Sequence, residues 1–275
     1  MTVLPDFLSD IPVTTAPVAV MLDGATARGV LWQAAEERFL LDLPGVARYL
    51  VEGGRSITID PAPDAPEQQI GYFLGMLPLA ALLYQRGLLA FHAASVTNGE
   101  VALLLAGDSG VGKSTLLTVL LQRGWRMLGD DLAIVGLDGK GQPVVFPARP
   151  GIALWPGSLK MLGIASDPLP CCDANRREYS LPGQFEGEPR PLSGIYRLSV
   201  HSKREVELEE IASSARFNST GIMLYNSHVA DALCSRVAYL RCAAALAQSA
   251  AYAGLKRPRG TWSVDALADR ILEEL

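Results

Sequence analysis

Nine consecutive residues, Gly107-Asp108-Ser109-Gly110-Val111-Gly112-Lys113-Ser114-Thr115, constrain this chain more than any other stretch of it. They fit the Walker-A pattern G-x-x-x-x-G-K-[ST]. Val101 to Ala106, just before them, is a short apolar run suited to a buried parallel strand, and Leu116, Leu117, Val119, Leu120 and Leu121 continue beyond them as a helix. A strand, a glycine turn and a helix start in succession aim backbone amides and the positive end of the helix at one spot, so a polyphosphate is held largely by main chain. All nine residues are candidate cofactor-binding residues. Lys113 would reach the β and γ phosphates, and the Ser114 hydroxyl would meet the Mg²⁺ that bridges them. ATP and Mg²⁺ are the cofactors this arrangement implies.

Composition narrows the partners. The chain has 275 residues, enough for one large domain or two modest ones, and 49% hydrophobic against 19% charged residues marks a folded chain with a sizeable core. A net charge of −5 argues against a general nucleic-acid binder, which needs a basic face to displace counterions. The basic pairs Arg176-Arg177, Lys203-Arg204 and Lys256-Arg257 read as solvated surface. Cys171, Cys172, Cys234 and Cys242 lack the C-x-x-C spacing of a zinc or redox site. Cys234 and Cys242 fall on one expected helix as small core residues. Met1 to Val13 shows no basic segment followed by an apolar run, so no secretory signal is expected. Ile70 to Tyr84 contains Pro78 and is too short to span a bilayer, so no membrane partner is expected. The expected compartment is the reducing cytoplasm, and a homo-oligomer is compatible with the composition.

The chain divides, on this reading, into a small α+β, mostly β, N-terminal module over residues 1–63 and a catalytic domain over residues 64–275. In the module, Phe39 to Leu43 and Ser56 to Ile59 are the clearest strands, and Val46 to Val51 is a helical turn or another strand. Asp64 and Glu67 resemble a capping box for a helix from Pro66 to Gln85, apolar on nearly every side and expected between the module and the nucleotide domain. Leu88 to Thr97 and Glu100 to Ala106 form a hairpin around Asn98-Gly99. Strands follow at Trp125 to Leu128, Leu132 to Leu137 and Val144 to Phe146. Pro147 to Pro191 is punctuated by proline and glycine, with one short helix near Ser158 to Leu162. Ile195 to Val200, Val206 to Ile211 and Tyr252 to Leu255 read as strands, Val229 to Ala251 as one long helix and Ser263 to Leu275 as a last amphipathic one.

A phosphate loop alone does not make a transferase. Asp130-Asp131 follows a short apolar strand, and strand ends surround the ligand crevice in α/β sheets. One carboxylate there would hold Mg²⁺ beside Ser114. Its neighbour could take the proton of an attacking hydroxyl. By itself such a pair reads as a solvated turn; the loop lysine 17 residues upstream favours the chemical reading. His92, one of three histidines, sits in an otherwise apolar strand that leads into the loop; it is a core histidine or a group that tunes the base. Arg149 could contact a phosphate or a substrate carboxylate, or pair with a surface acid; Arg257 and Arg259 are further candidates of the same kind.

Phe91-His92-Ala93-Ala94-Ser95-Val96, then Gly107 to Thr115, then Gly124-Trp125-Arg126-Met127-Leu128-Gly129-Asp130-Asp131 together resemble the HPr kinase/phosphorylase family and its related bacterial serine kinases. The resemblance covers roughly residues 88 to 137. It implies an α/β P-loop core of the HPr-kinase and phosphoenolpyruvate-carboxykinase kind, which moves the γ-phosphoryl group of ATP to a serine of a small protein. It further implies that Ser114 and Asp130 serve the metal, that Asp131 is the general base, and that His92 supports that base.

The downstream family segment, with its Leu-Glu-x-Arg-Gly core and metal-binding glutamate, is replaced here by Pro147-Ala148-Arg149-Pro150-Gly151-Ile152-Ala153-Leu154-Trp155-Pro156. The N-terminal module, Arg149 to Pro156 and Pro191 to Val200 look more like divergent HPr-kinase-like proteins that accompany peptide-modification genes. Some of those resemble kinases that act on a serine of a lasso-type precursor peptide. The expected activity is therefore transfer to a serine of a peptide or small protein. The alternatives are a small-molecule kinase or a non-catalytic nucleotide-binding regulator.

Overall fold

The computed structural model describes residues 4–164, 177–180 and 182–275, so Cys171, Cys172 and Arg176 lie outside the described residues. The fold is mixed α/β with two mixed sheets and a separate two-stranded hairpin. It separates into two compact units. The first comprises 1–90 with 224–241, and the second comprises 91–223 with 242–275. The sequence boundary at residue 63 thus falls inside the first unit, which also takes back a late helical segment.

In the first unit, strands Ala27–Arg28, Trp32–Ala35, Arg38–Leu43, Ala47–Glu52 and Ser56–Pro61 run in order as an antiparallel meander. Val13–Thr15 adds to its edge in parallel. Residues 47–52 are therefore a strand, and their alternation of buried and half-buried positions is that of a sheet with one face covered. The expected long helix is two, Glu67–Leu74 and Leu77–Gln85. It breaks at Gly75-Met76 because Pro78, in the first turn of the second helix, cannot continue the hydrogen-bond ladder of the first. No capping box forms: Pro66 takes the N-cap position without a side-chain bond, and Asp64 turns into the left-handed region at φ 63°. Leu77–Gln85 packs on the strands at 38–43 and 47–52 and on helix Ser227–Leu233, all within this unit. The single helix expected over 229–251 is likewise two, Ser227–Leu233 and Arg236–Ser249. Cys234 ends the first in an extended conformation, and burial pushes its thiol up to about 11.

The second unit is built around Arg190–His201, a strand of 12 residues. Ala102–Ala106 lies parallel to it on one side and Ala251–Pro258 parallel on the other. Ala93–Thr97 pairs antiparallel with the first of these and Arg126–Gly129 with Ala93–Thr97. Pro143–Phe146 pairs with the start of the long strand and with Ala133–Leu137, and Glu207–Glu210 pairs with Ala251–Pro258. Helices Lys113–Gln122 and Val264–Leu272 contribute Leu116, Leu117, Leu120, Leu267 and Ile271 to one core with Leu103 and Leu105. A leucine buried in this way contributes roughly 1.5–3 kcal/mol.

Within Pro147 to Pro191 the helix expected near Ser158 to Leu162 is present as Pro156–Leu162, and the stretch also holds an unexpected hairpin, Gly151–Leu154 paired with Arg177–Ser180. Ser213–Met223, to which the sequence reading assigned no element, is a helix whose low apolar content gives no periodic signal.

Candidate functional site

Three parallel strands end at one edge of the second sheet, and the site lies there. Ala102–Ala106 delivers Gly107, whose φ of 135° suits only glycine. A Cβ at Gly107 would stand 2.6 Å from the Leu198 carbonyl oxygen of the neighbouring strand, so the tight departure of the chain needs the missing side chain. Gly110 and Gly112 also have positive φ, at 78° and 113°, and Gly112 caps helix Lys113–Gln122. The turn therefore presents its backbone and the helix start to one cavity of about 170 Å³.

Lys113 is 5% exposed, so its charge requires partners. Its Nζ donates to the carbonyl oxygens of Gly107 at 2.8 Å and Asp108 at 3.3 Å, and lies 2.9 Å from His92 Nε2. A charged ammonium has only protons to give, so in that form of the lysine the imidazole Nε2 is the acceptor. His92 occupies the break between strands Leu89–Phe91 and Ala93–Thr97, where its backbone N–H turns aside to the Met223 carbonyl at 2.8 Å. The contact with the lysine is one that spacing along the chain did not suggest.

The two aspartates occupy different environments. The register of Arg126–Gly129 against Ala93–Thr97 shifts between Met127 and Gly129, just before the two aspartates. Gly129 itself leaves no space for a side chain: a Cβ would meet the Leu132 carbonyl oxygen at 2.8 Å and Ala148 Cβ at 2.9 Å. Asp130 is buried, with its Oδ1 accepting from Ser114 Oγ at 2.9 Å and its Oδ2 from the Ala153 N–H at 3.1 Å. Asp131 stands at φ 65°, a left-handed conformation costly for a residue with a side chain, and lines the cavity. Ser114 Oγ and Asp130 Oδ1 are adjacent hard oxygen donors and fit a Mg²⁺, which takes one or two carboxylates and completes its shell with phosphate and water. Among the described residues there is no group of three or more His, Cys, Asp or Glu side chains that could hold a metal by themselves.

The arginines sort by topology. Arg149 is not among the described residues that line the cavity. Arg257 lines it, and its Nε donates to the Val111 carbonyl at 2.8 Å, tying the last strand to the loop. The register explains why. Val200 faces Arg257 and Arg197 faces Ala106, so the end of Ala251–Pro258 emerges beside the loop. The sequence signal was available in Arg257-Pro258 at a strand end, but its parallel pairing was not. The remaining wall comes from Ala153, Leu154 and Trp155, which belong to the divergent segment noted in the sequence, and from Ser158, Thr261, Trp262, Ser263, Val264 and Leu267, which the sequence did not mark as site residues. Ser158 Oγ lies 3.2 Å from Thr115 Oγ1, so the helix after Trp155 is also tied to the loop.

No helix among the described residues is long and apolar enough to cross a membrane. No family model and no curated protein matches the chain. Among solved structures, the Hpr(Ser) kinase/phosphatase from Coxiella burnetii is similar over 67% of this chain and 96% of its own, at 12% identity and a TM-score of 0.34. That is a weak likeness. It fixes neither a shared fold nor an activity.

Proposed function

We propose that this chain is an ATP-dependent kinase that transfers the γ-phosphoryl group to a serine hydroxyl of a peptide or small protein. The observation that supports it most is the Ser114 Oγ to Asp130 Oδ1 contact of 2.9 Å, with Asp131 on the same cavity as the loop. Two adjacent carboxylates in unlike settings allow a division of labour. Asp130, buried and held by two donors, suits a fixed metal ligand, whereas Asp131 faces the space where an acceptor would enter.

In the proposed reaction the serine oxygen attacks the γ-phosphorus. An oxygen–phosphorus bond forms, the bond from the γ-phosphorus to the β-γ bridging oxygen breaks, and ADP leaves with that oxygen. Asp131 takes the serine proton. Lys113 exchanges a carbonyl partner for phosphate oxygens, and its contacts with Gly107, Asp108 and His92 already hold it beside the loop. His92 orients that lysine and keeps a lone pair turned toward it. Arg257 supplies a second cation at the loop. A bound Mg²⁺ would offset phosphate charge and hold the triphosphate's orientation.

A lasso-type precursor peptide is the acceptor suggested by the sequence resemblance. The test is transfer of labelled phosphate from ATP and Mg²⁺ to peptides encoded beside the gene, followed by mapping of the modified residue. Phosphoserine formed by the native chain and lost in Asp131→Asn supports the reading. Transfer to free amino acids or sugars instead would assign the site to a small-molecule kinase. ATP binding with no transfer to any acceptor would make the protein a nucleotide-binding regulator.

A further inference from the structure

Two tryptophans on the cavity wall take no part in the chemistry above. Trp155 is 47% exposed and Trp262 40%, while Trp125 is buried in the core. Both exposed rings line the cavity that contains the loop. Neither reaches it by accident of a floppy surface segment. Trp155 immediately precedes helix Pro156–Leu162, which Ser158 ties to Thr115, and Trp262 follows the strand that Arg257 ties to Val111. Beside Trp262, Ser263 Oγ is buried without a hydrogen-bond partner among the described residues, although it borders the same cavity.

We infer that Trp155 and Trp262 form the nucleoside end of the cavity, stacking on the base of a nucleoside triphosphate whose phosphates lie in the Gly107–Thr115 loop. The inference rests on the proposed nucleotide reading of that loop. A flat aromatic face is what a purine needs, since every base has a π-face to stack. The cavity of about 170 Å³ is well below the roughly 300–1,000 Å³ of pockets that engulf a ligand of nucleotide size, so the base rests against an open rim. Stacking against a rim reads area and not hydrogen-bond pattern. Discrimination between adenine and guanine is therefore weak, and the unpartnered Ser263 hydroxyl is available to a sugar oxygen.

The experiment compares binding of Mg²⁺-ATP, Mg²⁺-GTP and Mg²⁺-tripolyphosphate by calorimetry in the native chain, Trp155→Ala, Trp262→Ala and Trp262→Phe. The expected result is that each alanine variant weakens ATP and GTP by about five- to a hundredfold, leaves tripolyphosphate unchanged, and that Trp262→Phe recovers most of the loss. ATP affinity unchanged in both alanine variants, with tripolyphosphate still bound, overturns the stacking assignment and leaves the loop reading intact. Failure of the native chain to bind either ATP or tripolyphosphate overturns the loop reading, and this inference with it. Equal weakening of ATP and tripolyphosphate in the alanine variants also counts against it, because it means the loop itself has been disturbed.

Discussion

The sheet of the first unit and the sheet of the second are made from similar apolar strands, yet they differ in regularity. The first runs as a meander whose strand pairs keep an unbroken register from Ala27 to Pro61. Gly24 and Gly45, both with positive φ, sit in turns where a Cβ would meet nothing within 4 Å, while a Cβ at Gly54 would stand 2.8 Å from Arg86 Cγ, part of a flexible side chain. The second breaks its register between Met127 and Gly129 and between Leu192 and Gly194, interrupts a strand at His92 and places Asp131 in a left-handed conformation. Three of these departures from local rules fall at the loop edge. Strain and bulges persist where the surroundings over-determine them, and such places are where chemistry is positioned.

The largest effects should come from the loop lysine and the residue in the left-handed conformation. Asp131→Asn is expected to keep ATP affinity and lose turnover by about 10²-fold or more, the usual scale for a general base; single-turnover and binding assays separate the two. Lys113→Ala should abolish transfer through lost phosphate stabilisation. Near-native turnover in Asp131→Asn would remove the link between irregular backbone and chemistry. Next comes Arg257→Ala, expected to lower kcat/KM by roughly ten- to a hundredfold, on the scale of a lost charged hydrogen bond. Arg149→Ala, at a residue that is not among the described ones lining the cavity, should change it little.

The comparison itself is tested by a pair of glycines. Gly129→Ala must push on the Leu132 carbonyl and on Ala148, so it should cost about 1–3 kcal/mol and displace Asp130 and Asp131, lowering turnover as well as stability. Gly45→Ala has open space and should cost only the left-handed backbone penalty of about 1–2 kcal/mol, with turnover unchanged. Denaturant melts and initial rates on both variants decide the matter. A comparable loss of turnover in Gly45→Ala would break the contrast between the sheets.

The smallest effect concerns alkaline stability of the first unit. Tyr84 is fully buried, its hydroxyl lying 2.9 Å from the Ala90 carbonyl oxygen and 2.7 Å from that of Tyr225. Burial, reinforced by Cys234 and Tyr225, holds its ionisation well above the ordinary tyrosine range. The folded state thus grips the proton more tightly than the unfolded chain. Stability from this group is complete below about pH 10, where an unfolded tyrosine begins to ionise, and declines as the pH rises further. Tyr84→Phe should cost about 1 kcal/mol near neutrality and flatten that decline in urea titrations at successive pH values.

What could be read from residues alone was local. Glycine spacing, an apolar run on each side and a following pair of aspartates are contiguous features, and short-range sterics and hydrogen bonding govern them. The break at Gly75-Met76 is masked in the sequence by the apolar residues that continue across it, and the helix at Ser213–Met223 has no local mark because it lacks an apolar stripe. Partnerships across the chain were out of reach. That His92 meets Lys113, that the Ala153 N–H steadies Asp130, and that Arg257 and two tryptophans share the loop's cavity all follow from strand order and register. The chain by itself determined a strand, a glycine turn, a helix start and two carboxylates. The parallel pairing of Ala102–Ala106, Arg190–His201 and Ala251–Pro258 decided which distant side chains stand around them, because register is set by packing between strands far apart in the chain.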